Sequence, residues 1–235
     1  MRPVNRGNVP SDPANADCEI TFSDYKDARD HLTKRIGDFC SYCESGIQIG
    51  IHVEHIQPRV HHPGLQTSWS NLILACTHCN SIKGDADIAL DDYFWPHLDN
   101  TYRAFEYWTD AVPKVAAGLN LQERGIAENT LKLTGLDRCP GHPQFSERDL
   151  RWLKRREAWG MALTARKSLA AQPTEEMRRQ ILQTALCKGF WSVWMAVFAD
   201  DPQMQQALVR GFPGTAADEC FDSDGRPMYR PQGKI

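Results

Sequence analysis

The chain has 235 residues and a formal net charge of −3, with 41% hydrophobic and 24% charged residues. That is one large domain or two small ones at about 100–200 residues per domain, and the globular composition excludes collagen, coiled-coil and disordered classes for the chain as a whole. The small negative charge excludes a protein that binds nucleic acid by bulk charge alone, and eight cysteines fall well short of the roughly 8–10% of a disulfide scaffold.

Residues 1–37 read as an N-terminal extension and one helix. The first 22 residues are rich in Pro, Asn, Asp and Gly and carry no apolar leader segment, so a cytoplasmic chain with reduced thiols is expected. Between Phe22 and Ile36, the residues Tyr25, Ala28, Leu32 and Ile36 recur at three- and four-residue steps, which predicts a short helix. Residues 38–118 form the next unit. Its first part, 38–92, holds all the paired cysteines and five of the eight histidines, with little helix expected before residue 79. Tyr102 to Trp108 alternates well enough for a strand.

Residues 119–235 read as a mainly α-helical region with a tail. Ser146 followed by Asp149 resembles a capping box that opens a helix over about 147–171. Thr174 before Glu175 and Glu176 opens another, because an N-cap hydroxyl and first-turn acids both favour a helix start. That helix is expected to reach about residue 199 with a break at Gly189. Trp152, Trp159 and Leu163 recur at helical spacing and are expected in the core, as are Trp191 and Trp194. Residues 211–235, rich in Gly, Pro and Asp, read as a tail. The most apolar stretch, 189–199, is shorter than the ~20 residues of a membrane span, so no membrane is expected.

Two C-x2-C knuckles, Cys40–Cys43 and Cys76–Cys79, are separated by 32 residues. Two such knuckles complete a tetrahedral S₄ site, which suits Zn²⁺ at about 2.3 Å per Zn–S bond. All four positions are then filled, so the metal is expected to be structural. His78, inside the second knuckle, is the alternative fourth ligand. Cys18, Cys139, Cys187 and Cys220 have no nearby partner and read as ordinary thiols.

Val53-Glu54-His55-Ile56-Gln57-Pro58 lies between the knuckles, followed by Asn71-Leu72-Ile73-Leu74-Ala75 and then Asn80-Ser81-Ile82-Lys83-Gly84-Asp85. In order and spacing these residues resemble the HNH (ββα-metal) nuclease family, in its subclass stapled by cysteine knuckles. The resemblance implies an α+β fold: a zinc-stapled ββα-metal core followed by the helical region. It also implies roles. His55 would take a proton from water, work that suits an imidazole near neutral pH. Glu54 and Asn80 would offer hard oxygen ligands to one Mg²⁺ or Mn²⁺. Asn71 would hold the loop behind the general base. Strand alternation is expected to place Glu54 and His55 on opposite faces. His52 shares a strand face with Glu54, with a place on the metal as its alternative; it, His61 and His62 are read as structural or solvated, with a substrate-loop role open for the last two.

Residues 148–188 contain ten Lys/Arg against four acids. Arg151, Lys154, Arg155 and Arg156 are candidate backbone contacts on that helix, and Lys83 is a candidate phosphate contact; a solvated face is the alternative for each. More loosely, Met1-Arg-Pro-Val-Asn-Arg6, Cys40-Ser-Tyr-Cys-Glu44 and the segment 70–76 resemble HNH nucleases of bacterial antiphage defence, the Septu and retron-associated branch. That wider resemblance implies a controlling ATPase partner of the ABC/SMC-like class; DNA is the expected substrate, with RNA left open. The acids Asp200, Asp201, Asp218, Glu219, Asp222 and Asp224 are a candidate partner-contact surface. The rival function is a zinc-knuckle module without chemistry that docks nucleic acid or protein.

Overall fold

The computed structural model describes residues 1–12, 15–47 and 49–235. Two short strands, β1 (Ser11–Asp12) and β2 (Asn15–Glu19), pair antiparallel and lead into α1 (Ala28–Ile36). A 3₁₀ turn over Tyr25–Asp27 opens α1, started by a reciprocal cap between Asp24 and Asp27. The periodic residues Ala28, Leu32 and Ile36 form the buried stripe of α1.

The next elements form a ββα unit. Strand β3 (His52–His55) pairs antiparallel with β4 (Leu72–Ala75), and α2 (Thr77–Lys83) follows one residue later. All four residues of β4 are buried and α1 packs across it. Helix α2 starts slightly before the expected residue 79. Beyond it, α3 (Thr101–Ala104) runs into β5 (Phe105–Tyr107), which pairs with β6 (Pro113–Val115). Here the expected strand over 102–108 is half right. Its first part is a helical turn, because Tyr102 turns its ring onto Trp191 and Phe221 instead of joining an alternating face.

The helical region comprises α4 (Leu121–Thr134), α5 (Arg151–Ala171), α6 (Glu175–Lys188), α7 (Trp191–Val197), α8 (Pro202–Gly211) and α9 (Ala217–Cys220). Thr174 caps α6 as expected, accepting from the Met177 N–H. Helix α5 begins later than expected. Asp149 does not close a capping box on Ser146; its carboxylate accepts from the Arg151 backbone and guanidinium. Trp191 and Trp194 are fully buried, Trp152 and Trp159 are half-buried, and Leu163 is exposed, contrary to expectation.

Residues 211–235 are not a loose tail. Phe212, Ala216, Cys220 and Phe221 are buried with α7 and α8, and Arg230 donates to the carbonyls of Val4 and Pro96. The N-terminal segment is equally anchored. Arg2 donates to the carbonyls of Ile36 and Pro213. One buried cluster draws on residues from Met1 to Ile235, so the ββα unit shares its core with its flanks. No helix among the described residues is long and apolar enough to cross a membrane.

The first knuckle docks on the hinge between α6 and α7. The Phe190 N–H donates to the Glu44 carbonyl at 2.7 Å. The Glu44 carboxylate accepts from the Ser192 N–H and hydroxyl at 2.8 and 2.5 Å. Gly189 permits this approach. Its φ is +73°, and an added Cβ would lie 2.5 Å from both the Glu44 oxygen and the Gly46 nitrogen. Gly160, inside α5, faces open space. In urea unfolding, Gly189→Ala should therefore cost about 2 kcal/mol or more, whereas Gly160→Ala should stabilise by about 0.5–1 kcal/mol. Equal, small effects would contradict the docking.

Candidate active site and metal centre

The four knuckle cysteines converge. Their sulfur atoms all lie within 4.8 Å of one another, with Cys43 and Cys76 at 3.7 Å. A tetrahedral site with about 2.3 Å Zn–S bonds has sulfurs about 3.8 Å apart, so the cluster fits zinc. Local structure explains the convergence. The first knuckle is a turn whose Ser41 N–H donates to the Leu74 carbonyl of β4. In the second, Cys76 is the N-cap of α2 and accepts from the Cys79 N–H at 3.3 Å. Without metal the thiols share protons unequally. Hydrogen bonds from Cys40, Cys76 and Cys79 hold the Cys43 thiol well below its usual range. Burial pushes Cys40 and Cys79 well above it. A divalent cation removes that conflict by binding all four as thiolates.

His78 is not part of the cluster; it is exposed and bonds the Arg148 carbonyl through Nε2 at 3.0 Å. An unforeseen partner is. Arg151 donates from Nη1 to the Cys79 sulfur at 3.1 Å and to the Thr134 carbonyl at 3.0 Å. From Nη2 it reaches the Gly135 carbonyl and Asp149. Arg151 is thereby buried against the sulfur cluster, which corrects its expected place on a nucleic-acid surface. Arg155, one turn on, is also buried, donating to the carbonyls of Ala111 and Leu136. Lys154 and Arg156 do lie at the surface. Lys154 pairs with Glu157, and Arg156 sits over the Trp152 ring.

Beside the cluster lies an open cleft of about 320 Å³, lined by Glu54, His55, Pro58, Arg59, Asn80 and Gly84 among others. Glu54 and His55 leave β3 on alternate sides, yet both border this cleft because the strand ends at His55. Asn80 enters from α2, and its side-chain amide makes no hydrogen bond to any described residue. A carboxylate and an amide oxygen on one cleft are a donor set suited to Mg²⁺ or Mn²⁺.

His55 donates from Nε2 to the Gln66 carbonyl at 2.8 Å. A carbonyl only accepts, so the proton sits on Nε2 and Nδ1 keeps its lone pair. The ring packs on Tyr25, centroids 4.6 Å apart. Burial holds its pKa below the ordinary value; the Gln66 carbonyl opposes this, and the cations Arg59 and Lys83 add to it. Glu54 is buried, which raises its pKa against the pull of Lys83.

Lys83 is the second correction. Its Nζ lies 2.9 Å from the Glu54 carboxylate and 2.8 Å from the His55 carbonyl, with the side chain 1% exposed. It cannot reach a phosphate from there; it pins the end of β3 to α2. Asn71 is buried beneath the loop that follows His55. Its amide donates to the carbonyls of Gln57 and Leu65 and accepts the Gln57 N–H at 2.8 Å. Arg6 braces the same loop from outside, donating to the carbonyls of Trp69, Ser70 and Leu72. His61 and His62 fasten the loop to the Asp85 carbonyl and Asp87, while His52 bonds Thr77 instead of facing the cleft. Sequence reasoning misses Tyr25 and Arg59 at the site. Tyr25 stands out only as one of the periodic residues of the first helix, and Arg59 carries no motif signal.

Residues 40–86 match the family model of the HNH endonucleases. The chain carries an HNH endonuclease domain. The matched span contains both knuckles and every residue of the cleft. The Septu protein PtuB of Bacillus thuringiensis is 32% identical over 74 residues, a match spanning 29% of this chain and 29% of that protein's length.

The HNH domain should retain one zinc per chain after gel filtration. Cys79→Ser should lose it, and Arg151→Met should keep the stoichiometry while losing affinity by about ten-fold or more, as expected for a partner of a metal ligand. Competition with a chromophoric chelator measures both; unchanged zinc affinity in Arg151→Met would remove the role assigned to Arg151.

Proposed function

We propose that this protein is a metal-dependent endonuclease that hydrolyses nucleic-acid phosphodiester bonds, with DNA as substrate. The observation that carries this reading is the joint placement of Glu54, His55 and Asn80 on one open cleft, with the His55 Nδ1 lone pair free. His55 accepts the proton of the attacking water through Nδ1. The Nε2 bond to Gln66 holds the ring in the tautomer this requires. Asn71 acts as a positioning residue: it fixes the loop between Gln57 and Leu65, and with it the Gln66 carbonyl that orients His55. Glu54 and Asn80 would hold one Mg²⁺ or Mn²⁺, with phosphate and water completing its shell. When bound, such an ion stabilises charge on the transition state and on the leaving oxygen. Water oxygen bonds to phosphorus, the bond to the 3′ oxygen breaks, and that oxygen takes a proton from a solvent water, which leaves a 5′-phosphate and a 3′-hydroxyl. Lys83 neutralises Glu54 in part, which permits a buried carboxylate beside the imidazole. The four cysteines hold a structural Zn²⁺ that takes no part in the reaction.

The likeness to a Septu protein extends the proposal to a cytoplasmic role in bacterial antiphage defence, as effector nuclease under control of an ABC/SMC-like ATPase partner. The acidic residues near the C-terminus divide in the structure. Buried or half-buried pairs engage Asp201 with Arg178 and Glu219 with Arg230, whereas Asp200, Asp218 and Asp224 form exposed pairs with Arg166, Arg210 and Arg226, and Asp222 accepts from backbone N–H groups.

Plasmid nicking tests the central part. The zinc-loaded protein should nick supercoiled plasmid in Mg²⁺ or Mn²⁺, and EDTA should stop it. His55→Ala should lower the rate by about 10²–10⁴, the usual worth of a general base. A His55→Ala protein that cuts as fast as the parent would refute the assignment.

A further inference from the structure

We infer that the C-terminal region supplies part of the substrate-binding surface: the phosphodiester backbone leaves the cleft across α2 and is gripped by Arg148 and Arg138, both outside the HNH domain. This rests on the nuclease reading and extends it to residues that no motif covers.

Three depressions lie side by side. The cleft takes Asn80 and Gly84 from α2 and its C-terminal end. A second depression of about 270 Å³ takes Thr77, His78, Ser81 and Ile82 from the same helix and is walled by Arg138 and Arg148. A third, of about 420 Å³, shares His78 and Arg148 with the second and continues to Lys154 and Lys188. Neighbouring residues on a helix point about 100° apart, so Asn80 and Ser81 open onto adjacent faces. A helix with its side chains is about 10–12 Å across. A strand crossing α2 therefore meets Arg148 within a few nucleotides of the bond held in the cleft.

The charges along this route favour a polyanion. Arg148 is exposed, and its guanidinium makes no hydrogen bond or ion pair with any described residue. Its loop is fixed by the His78 bond to its carbonyl. Arg138 donates to Gln144 at 2.8 Å, which orients its guanidinium and leaves its charge uncompensated. The one acid on this wall, Asp149, is buried and neutralised by Arg151. Farther out, Lys154 and Lys188 share the single acid Glu157, which leaves a net positive charge there. Arg59 borders the cleft itself, beside the acids Glu54 and Asp85. Cations thus stand at the cleft and along the route beyond α2, as a bound backbone needs. The basic run at 151–156 suggests a contact surface in the sequence; the structure buries Arg151 and Arg155, leaves Lys154 and Arg156 exposed, and adds the exposed Arg148 of the preceding loop.

Binding separates this inference from the catalytic one. The full-length His55→Ala protein would be titrated against a fluorescein-labelled 30-bp duplex in Mg²⁺ at several KCl concentrations, followed by anisotropy. Arg138→Ala/Arg148→Ala in that background should weaken binding about ten-fold or more. It should also flatten the slope of log K against log salt by about two, one for each phosphate that an arginine no longer neutralises. Arg179→Glu, on the exposed face of α6, should stay within about two-fold of the parent; zinc content confirms that each variant is folded. A parent that binds while the double variant keeps its affinity and slope overturns the track and leaves the nuclease reading standing. A His55→Ala protein that does not bind the duplex, together with a wild-type protein that does not nick plasmid, overturns both.

Discussion

Four sulfur atoms drawn within 4.8 Å of one another bind together pieces that could not persist separately. Strands β3 and β4 pair over four residues, and α2 has seven. A two-stranded hairpin is marginal in water, and an isolated helix shorter than about 12–15 residues is too. Zinc on such a cluster contributes about 10–16 kcal/mol to the folding of a small unit. The second knuckle is itself the start of α2, so the sulfur cluster sets where Asn80 stands relative to Glu54 and His55. The geometry of the cleft follows from the geometry of the sulfurs.

The rest of the chain tightens the same arrangement. Arg151 joins α5 to Cys79, and Glu44 joins the first knuckle to α7. Arg6 and Asn71 hold the loop between the strands from its two sides. Lys83 closes the last gap by tying the end of α2 to the end of β3. Each link is a charged or amide group satisfied by several partners. Buried polar groups of this kind specify one arrangement because each is costly to leave unpaired.

Local chemistry made much of this legible in advance. The knuckles and the residues 54, 55, 71 and 80 stand at short, characteristic spacings, and the structure brings the four cysteines together and three of the other four to one cleft. Charge was the misleading signal. Arg151 and Arg155 read as surface because they are cationic, yet they lie on the stripe continued by Ala158, Ala162 and Leu169. Small residues at helical spacing mark a face packed closely on a neighbour, and an arginine in line with them can be buried if carbonyls and a carboxylate await it. Lys83 misled for the same reason. The segment from 211 read as a tail because Gly, Pro and Asp dominate it, although Phe212, Ala216, Cys220 and Phe221 are its packing residues. Arg59 and Arg138 owe their places to tertiary contacts that no local pattern records.

The proposed nuclease needs two metal sites of opposite character, one closed and made of sulfur, the other open and made of oxygen. Anomalous diffraction at the zinc and manganese edges, from one crystal of the parent protein grown with Mn²⁺, tests both at once. One zinc peak should stand at the centre of the four cysteine sulfurs and one manganese peak between Glu54 and Asn80 in the cleft. A cleft without manganese, or a zinc peak displaced from the sulfurs, would contradict the account.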